Sequence, residues 1–199
     1  EAECPLLATG DNMQKKIIKL LKESIEVKNK VLENNVADIE KLASAMLETI
    51  KSGRKILLFG NGGSAADSLH IAAELVGRFK KERKALPAIA LTANIAILTA
   101  LGNDYSLDYI FERQVEALGN KGDMAIGIST SGSSKNVVAG ILKASSMGLK
   151  TAALTGEKIG ELCEAVDICV RVPSSDTPRI QEAHIAIGHI VCELIEDAF

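Results

Sequence analysis

Two histidines and a glutamate stand where they could share one task. His70 and Glu74 are four residues apart, hence on one face of any helix that carries them. Gln181 and His189 are eight apart, about 80° of azimuth on a helix, which leaves them on roughly one side. His184, the third histidine, falls to the other side of Gln181 and is left out. Imidazoles with a carboxylate suit either a Zn²⁺ ion or proton transfer between a general acid and a general base. A lone histidine on an Ala-rich helix is more often a packed or surface residue than a ligand. Two polar loops beside these helices tip the balance toward chemistry.

The first loop is Gly60-Asn61-Gly62-Gly63-Ser64, which follows the apolar run Ile56-Leu57-Leu58-Phe59. A buried strand, a glycine turn and a helix over 65–79 with Ser64 as its N-cap would seat an anion or a sugar phosphate. Gly60, Gly62 and Ala65 also fit a dinucleotide spacing, which is a weak signal alone. The second strand would end Ala90-Leu91-Thr92, without the acid that holds a ribose, and no lysine follows the glycines as in a P-loop. Read alone, the turn fits a purely structural role as well as a ligand loop. The second loop, Ser129-Thr130-Ser131-Gly132-Ser133-Ser134, has five hydroxyl side chains in six positions. Between a buried strand and a helix, such hydroxyls and amides bind phosphate without a cation. An ordinary Ser/Gly turn with an N-cap is the plainer alternative.

The elements that must position these groups alternate. Strands are predicted over 56–59, 88–91, 124–128, 151–154 and 168–172. Helices are predicted over 65–79, 95–101, 107–118, 137–147, 159–164 and 180–197, with residues 102–104 as a loop. Such alternation argues for a parallel sheet covered on both faces, with the post-strand loops gathered at one edge. Ahead of it, two apolar stripes broken at Asn34-Asn35 predict a helical arm. Its stripe must be buried on its own domain or on a partner subunit, and we expect the partner. Residues 1–10 read as a frayed end, and the run 80–84 as a solvated helix end and loop.

The bulk composition narrows the class. The 199 residues suit one domain of 53–199 with the arm within 1–52. With 47% hydrophobic residues but only 3% aromatic, the core must be aliphatic. A net charge of −3 leaves no basic footprint for nucleic acid. No apolar run approaches a membrane span and no secretory core opens the chain, so a cytoplasmic location is expected, with no membrane partner. Cys4, Cys163, Cys169 and Cys192 show no C-x-x-C pairing. Cys169 and Cys192 read as reduced core thiols.

Several of these stretches are similar to a known family. Gly60-Asn61-Gly62-Gly63-Ser64-Ala65-Ala66-Asp67, His70-Ile71-Ala72-Ala73-Glu74-Leu75 and Gly77-Arg78-Phe79 resemble the bacterial phosphoheptose isomerases of the sugar isomerase (SIS) family. So do Gly102-Asn103-Asp104-Tyr105, Gly127-Ile128-Ser129-Thr130-Ser131-Gly132 and Arg179-Ile180-Gln181-Glu182-Ala183-His184 leading to His189. The resemblance runs from about residue 53 to 196, and the arm also looks like that family's N-terminal region. It implies an α/β fold, a three-layer αβα sandwich on a five-stranded parallel sheet (flavodoxin-like), assembled as a homotetramer. It further implies interconversion of sedoheptulose 7-phosphate and D-glycero-D-manno-heptose 7-phosphate on the way to activated heptose for lipopolysaccharide or other surface glycans. By the same resemblance Ser129, Thr130, Ser131 and Ser134 hold the phosphate, while Asn61, Gly62, Gly63, Ser64, Asn103 and Asp104 line the sugar. His70, Glu74, Gln181 and His189 correspond to a site for one zinc per subunit, and Glu74 and His189 to the acid–base pair. Gln181, a poor metal ligand by type, is included on the resemblance alone. Pro178 stands where some relatives carry a substrate-contacting Asp, which puts one sugar contact in doubt.

Two other functions compete. A non-catalytic member of the family binds a replication initiator but generally lacks counterparts of Glu74 and His189, both present here. Isomerases of the family that act on pentose or amino sugars usually differ at His70, Glu74, Gln181 and His189.

Overall fold

All five residues of the strand Ile56–Gly60 are buried. A strand with no solvated face needs helices on both sides, the condition that parallel sheets meet. The computed structural model describes residues 10–199. Chain order is α1 (Gly10–Asn34), α2 (Val36–Lys51), β1 (Ile56–Gly60), α3 (Gly63–Val76), β2 (Ala88–Ala90), α4 (Ile95–Asp104), a 3₁₀ turn (Leu107–Tyr109), α5 (Ile110–Leu118), β3 (Met124–Ser129), α6 (Lys135–Ser146), β4 (Lys150–Thr155), α7 (Glu161–Glu164), β5 (Ile168–Arg171) and α8 (Thr177–Glu196). The five strands are all parallel in the order β2-β1-β3-β4-β5. The expected α/β sandwich is therefore present.

Alternation along β1 feeds two cores. Ile56 and Leu58 pack with Met46, Leu75, Ile187 and Val191 from α2, α3 and α8. Leu57 and Phe59 pack with Phe111, Val115, Val137 and Ile141 from α5 and α6. The Phe59 and Phe111 rings stack with centroids 5.1 Å apart in this largely aliphatic interior.

The arm breaks at the expected place. Asn35 interrupts it, and its Nδ2 donates to the Arg171 carbonyl at 3.0 Å, tying the break to the end of β5. Ile17, Leu21, Ile25 and Leu32 on α1 are exposed. No residue of α4 is buried, and Ile95 is 73% exposed. Among the described residues nothing covers these apolar faces.

Several expectations need correction. α3 begins at Gly63 with Gly62 as its N-cap, because Gly62 alone there adopts φ +55°; Ser64 is a buried first-turn residue. Asn103 and Asp104 belong to α4 rather than to a loop. The helix foreseen over 159–164 shrinks to α7. The run 80–84 is not wholly solvated, since Arg83 is buried against Glu196. Cys169 is bonded to Cys163 across a separation of six residues, so it is no free thiol, whereas Cys192 is free and buried as foreseen. The reading of residues 1–9, Cys4 included, falls outside the described residues, and Gly10 already belongs to α1.

Candidate active site

In an open α/β sheet, ligands bind beyond the carboxyl ends of the strands where the strand order reverses. Here that point lies between β1 and β3, which pair Gly60 with Ile128. The two loops singled out from the sequence leave the sheet from these two strands. Asn61 after β1 and Asn136 in α6 exchange two amide hydrogen bonds of 2.8 and 3.0 Å, bracing the loops across the gap.

Neither of the helices that follow these loops, α3 and α6, has a side-chain cap; before α6, Ser134 turns its Oγ to Ser129 Oγ at 2.9 Å instead. Two helix N-termini with uncapped amides thus face the same crevice, an arrangement that favours an anion. Ser129 Oγ also lies 3.3 Å from Ser131 Oγ. Gly132 takes φ +68°, and its carbonyl accepts from Leu162 N–H at 3.0 Å, so α7 backs the loop. A cleft of about 170 Å³ opens beside it, lined by Thr130, Ser131, Glu157, Lys158, Ser174 and Ser175 among others.

The acid–base candidates meet in space. His70 Nε2 lies 3.0 Å from Glu74 Oε1 and 3.2 Å from His189 Nε2. One ligand atom from each of the three side chains lies within 4.8 Å of the others. The Phe79 ring flanks His189 with centroids 5.3 Å apart. Two ring nitrogens and a carboxylate oxygen thus meet around one small space, where a shared proton or a cation would join them. The edges of a tetrahedral site with 2.0–2.1 Å bonds are about 3.3 Å long, close to the His70–Glu74 and His70–His189 separations.

The remaining expected residues are placed as follows. Gln181 lays its amide over Gly63, where a Cβ would stand 2.5 Å from Nε2, so a larger residue at 63 would displace the amide. Ser64 is buried under the turn. Asn103 and Asp104 are exposed and bond to each other at 2.9 Å; among the described residues neither hydrogen bonds to the strand-end loops. His184, left out of the site, is fully buried with Nε2 donating to the Thr155 carbonyl at 3.1 Å. Burial pushes its pKa down to about 4.

One neighbour escaped the sequence reading. Asp67 precedes His70 by three residues, and its Oδ2 is buried with no partner among the described residues. Burial pushes its carboxyl up to about 6, and the charge of His70 works against that rise. The helical spacing 67-70-74 was the available signal.

Comparison with known proteins gives the same reading. The family model for the SIS domain matches residues 20–156. This chain belongs to the SIS domain family. Its match to relatives named phosphoheptose isomerase is close: that of Aquifex aeolicus is 55% identical over 93% of this chain and 97% of its own length. The phosphoheptose isomerase structure from Neisseria gonorrhoeae superposes with a TM-score of 0.88 at 39% identity, over 93% of this chain and 99% of that one. The one from Francisella tularensis gives 0.90 at 38%, over 93% and 98%. Within the SIS family these likenesses side with an isomerase over the initiator-binding alternative.

Proposed function

We propose that this SIS-family chain is an aldose–ketose isomerase that interconverts sedoheptulose 7-phosphate and D-glycero-D-manno-heptose 7-phosphate. Its product feeds activated heptose for surface glycans such as lipopolysaccharide. The observation that carries the reading is the meeting of His70, Glu74 and His189 between α3 and α8, in a chain 55% identical to a relative of that name.

The phosphate is held by Ser129, Thr130, Ser131 and Ser134 with the amides that open α6, remote from the reacting carbons, so its binding energy goes into positioning them. Asn61, Gly62, Gly63, Ser64, Asn103 and Asp104 line the sugar chain. Glu74 takes the proton from C1 of the ketose while His189 protonates the carbonyl oxygen, giving a cis-enediol(ate). Return of the proton to C2 and removal of one from the C1 hydroxyl yield the aldose. Each transfer contributes on the order of 10²–10⁴-fold.

His70, Glu74 and His189 would hold one Zn²⁺ per subunit, with Gln181 as a fourth donor. When bound, such an ion would polarise the carbonyl and steady the developing oxyanion.

The uncovered faces of α1 and α4 support assembly into a homotetramer, with the arm as its contact. A phosphorylated sugar substrate goes with a cytoplasmic location, and no described helix is long and apolar enough to cross a membrane.

The test is incubation of the purified chain with sedoheptulose 7-phosphate, before and after chelation. Formation of the aldose supports the reading. Absence of conversion with metal restored would refute it.

A further inference from the structure

Arg83 and Glu196 form an ion pair that the acid–base chemistry does not use. Arg83 Nε stands 3.2 Å from Glu196 Oε1, with the two side chains only 3% and 1% exposed. Each partner also holds backbone. Glu196 Oε1 accepts from Phe79 N–H at 2.9 Å, and its Oε2 from Lys80 and Lys81 N–H at 2.6 and 2.9 Å. Arg83 Nη2 donates to the Glu74 carbonyl at 2.7 Å, and Nη1 to the carbonyls of Leu75 at 2.8 Å and Gly77 at 3.3 Å. α3 ends at Val76, so Glu74 and Leu75 carry last-turn carbonyls that the helix cannot satisfy, and a cation there suits its dipole.

A buried ion pair is a poor stabiliser in itself, because desolvation offsets the attraction; apolar side chains of equal volume often do as well. What apolar side chains would not do is fix two backbone segments at once. One segment carries Glu74. The other carries Phe79, whose ring flanks His189, itself seven residues ahead of Glu196 on α8. Burial alone would push the Glu196 carboxyl up, but the three N–H groups and the Arg83 charge hold it at about 2. The clamp therefore stays charged across the working range of a cell.

We propose that Arg83 and Glu196 are positioning residues for the isomerisation, clamping α3 to α8 so that the Glu74 carboxylate and the His189 ring meet the sugar in one fixed geometry. The inference rests on Glu74 and His189 being the acid–base pair. Lysine at position 83 keeps the charge but loses the planar fork that reaches several carbonyls at once.

The test pairs kinetics with the ring ¹H–¹⁵N spectrum of the three histidines in the full chain and in Arg83→Lys. His184, on the far side of α8 from the cluster, serves as an internal marker of the fold. In Arg83→Lys the His70 and His189 signals should move while that of His184 stays. For sedoheptulose 7-phosphate, kcat per folded subunit should fall roughly ten-fold or more with KM within about two-fold, as misplacement of reacting groups predicts. Unmoved His70 and His189 signals with kcat within about two-fold of the parent would overturn the proposal. If Arg83→Lys loses the His184 signal by unfolding, Glu196→Gln takes its place with the same expectations. Unfolding of both variants would overturn the proposal in favour of a purely structural pair. An inactive parent would count against the assigned reaction, whereas the ring spectra would still report on the clamp.

Discussion

His70 and His189 face each other Nε2 to Nε2 at 3.2 Å, from positions 119 residues apart in the chain. Two neutral imidazoles gain at most one hydrogen bond from that approach, and Glu74 adds a carboxylate 3.0 Å from the same nitrogen of His70. The arrangement gains much more from a cation among them. Titration of metal-free protein with Zn²⁺ should give one tight site per subunit. His189→Ala should weaken it by about two orders of magnitude or more, since a ligand matters at least as much as the groups that orient it. Equal affinity in the variant would remove His189 from the metal site.

The Asn61–Asn136 bridge should matter for binding and not for proton transfer, because it braces the two loops that grip the substrate. Asn136→Ala removes both amide bonds at about 1 kcal/mol each at most. KM for the sugar phosphate should rise roughly 5–30-fold with kcat nearly unchanged. A loss confined to kcat would contradict this.

The pH dependence of stability follows from the buried His184 and Glu196 and the half-buried Asp67. His184 titrates at about 4 in the fold against an ordinary 6.5. Between those values the unfolded chain takes up a proton that the fold refuses, so stability falls as pH drops from 6.5 toward 4. Glu196, held at about 2 against 4.5, adds a loss as pH falls through that lower window. Asp67, raised to about 6 from 3.8, acts the other way, favouring the fold as pH drops through its own range. Denaturant unfolding at stepped pH should show a shallower decline between 6.5 and 4 for His184→Gln, which keeps a donor for Thr155 but does not titrate. An unchanged slope would contradict the assignment.

The bond between Cys163 and Cys169 closes a short loop behind the serine-rich turn. Constraining a loop of that length in the unfolded chain is worth about 2 kcal/mol. Unfolding with and without a dithiol reductant should show that difference, and Cys163→Ser should abolish it.

Much of the fold was legible because burial leaves a periodic trace. Fully apolar strands such as Ile56-Leu57-Leu58-Phe59 announce a sheet covered twice, and the loops that follow them must share an edge. His70 and Glu74 were legible for the same reason, since helical spacing puts them on one face. What did not show was anything decided by distant partners. Arg83 sits in a run of charges that reads as solvated, and its partner Glu196 lies 113 residues later. Cys163 and Cys169 flank the turn from α7 into β5, and a separation of six carries no pairing signal. Gly62 took the cap from Ser64 because a backbone conformation, φ +55°, outranked a side-chain preference.

Solvent-proton exchange at the sugar tests the central claim most directly. Glu74→Gln keeps the size and the hydrogen-bonding reach of the side chain but cannot accept the proton from C1. Incubated with sedoheptulose 7-phosphate in deuterated water, the parent should incorporate deuterium during turnover. The variant should bind the sugar phosphate and incorporate none. Deuterium entering the sugar at the parental rate with Glu74→Gln would show that another group is the base.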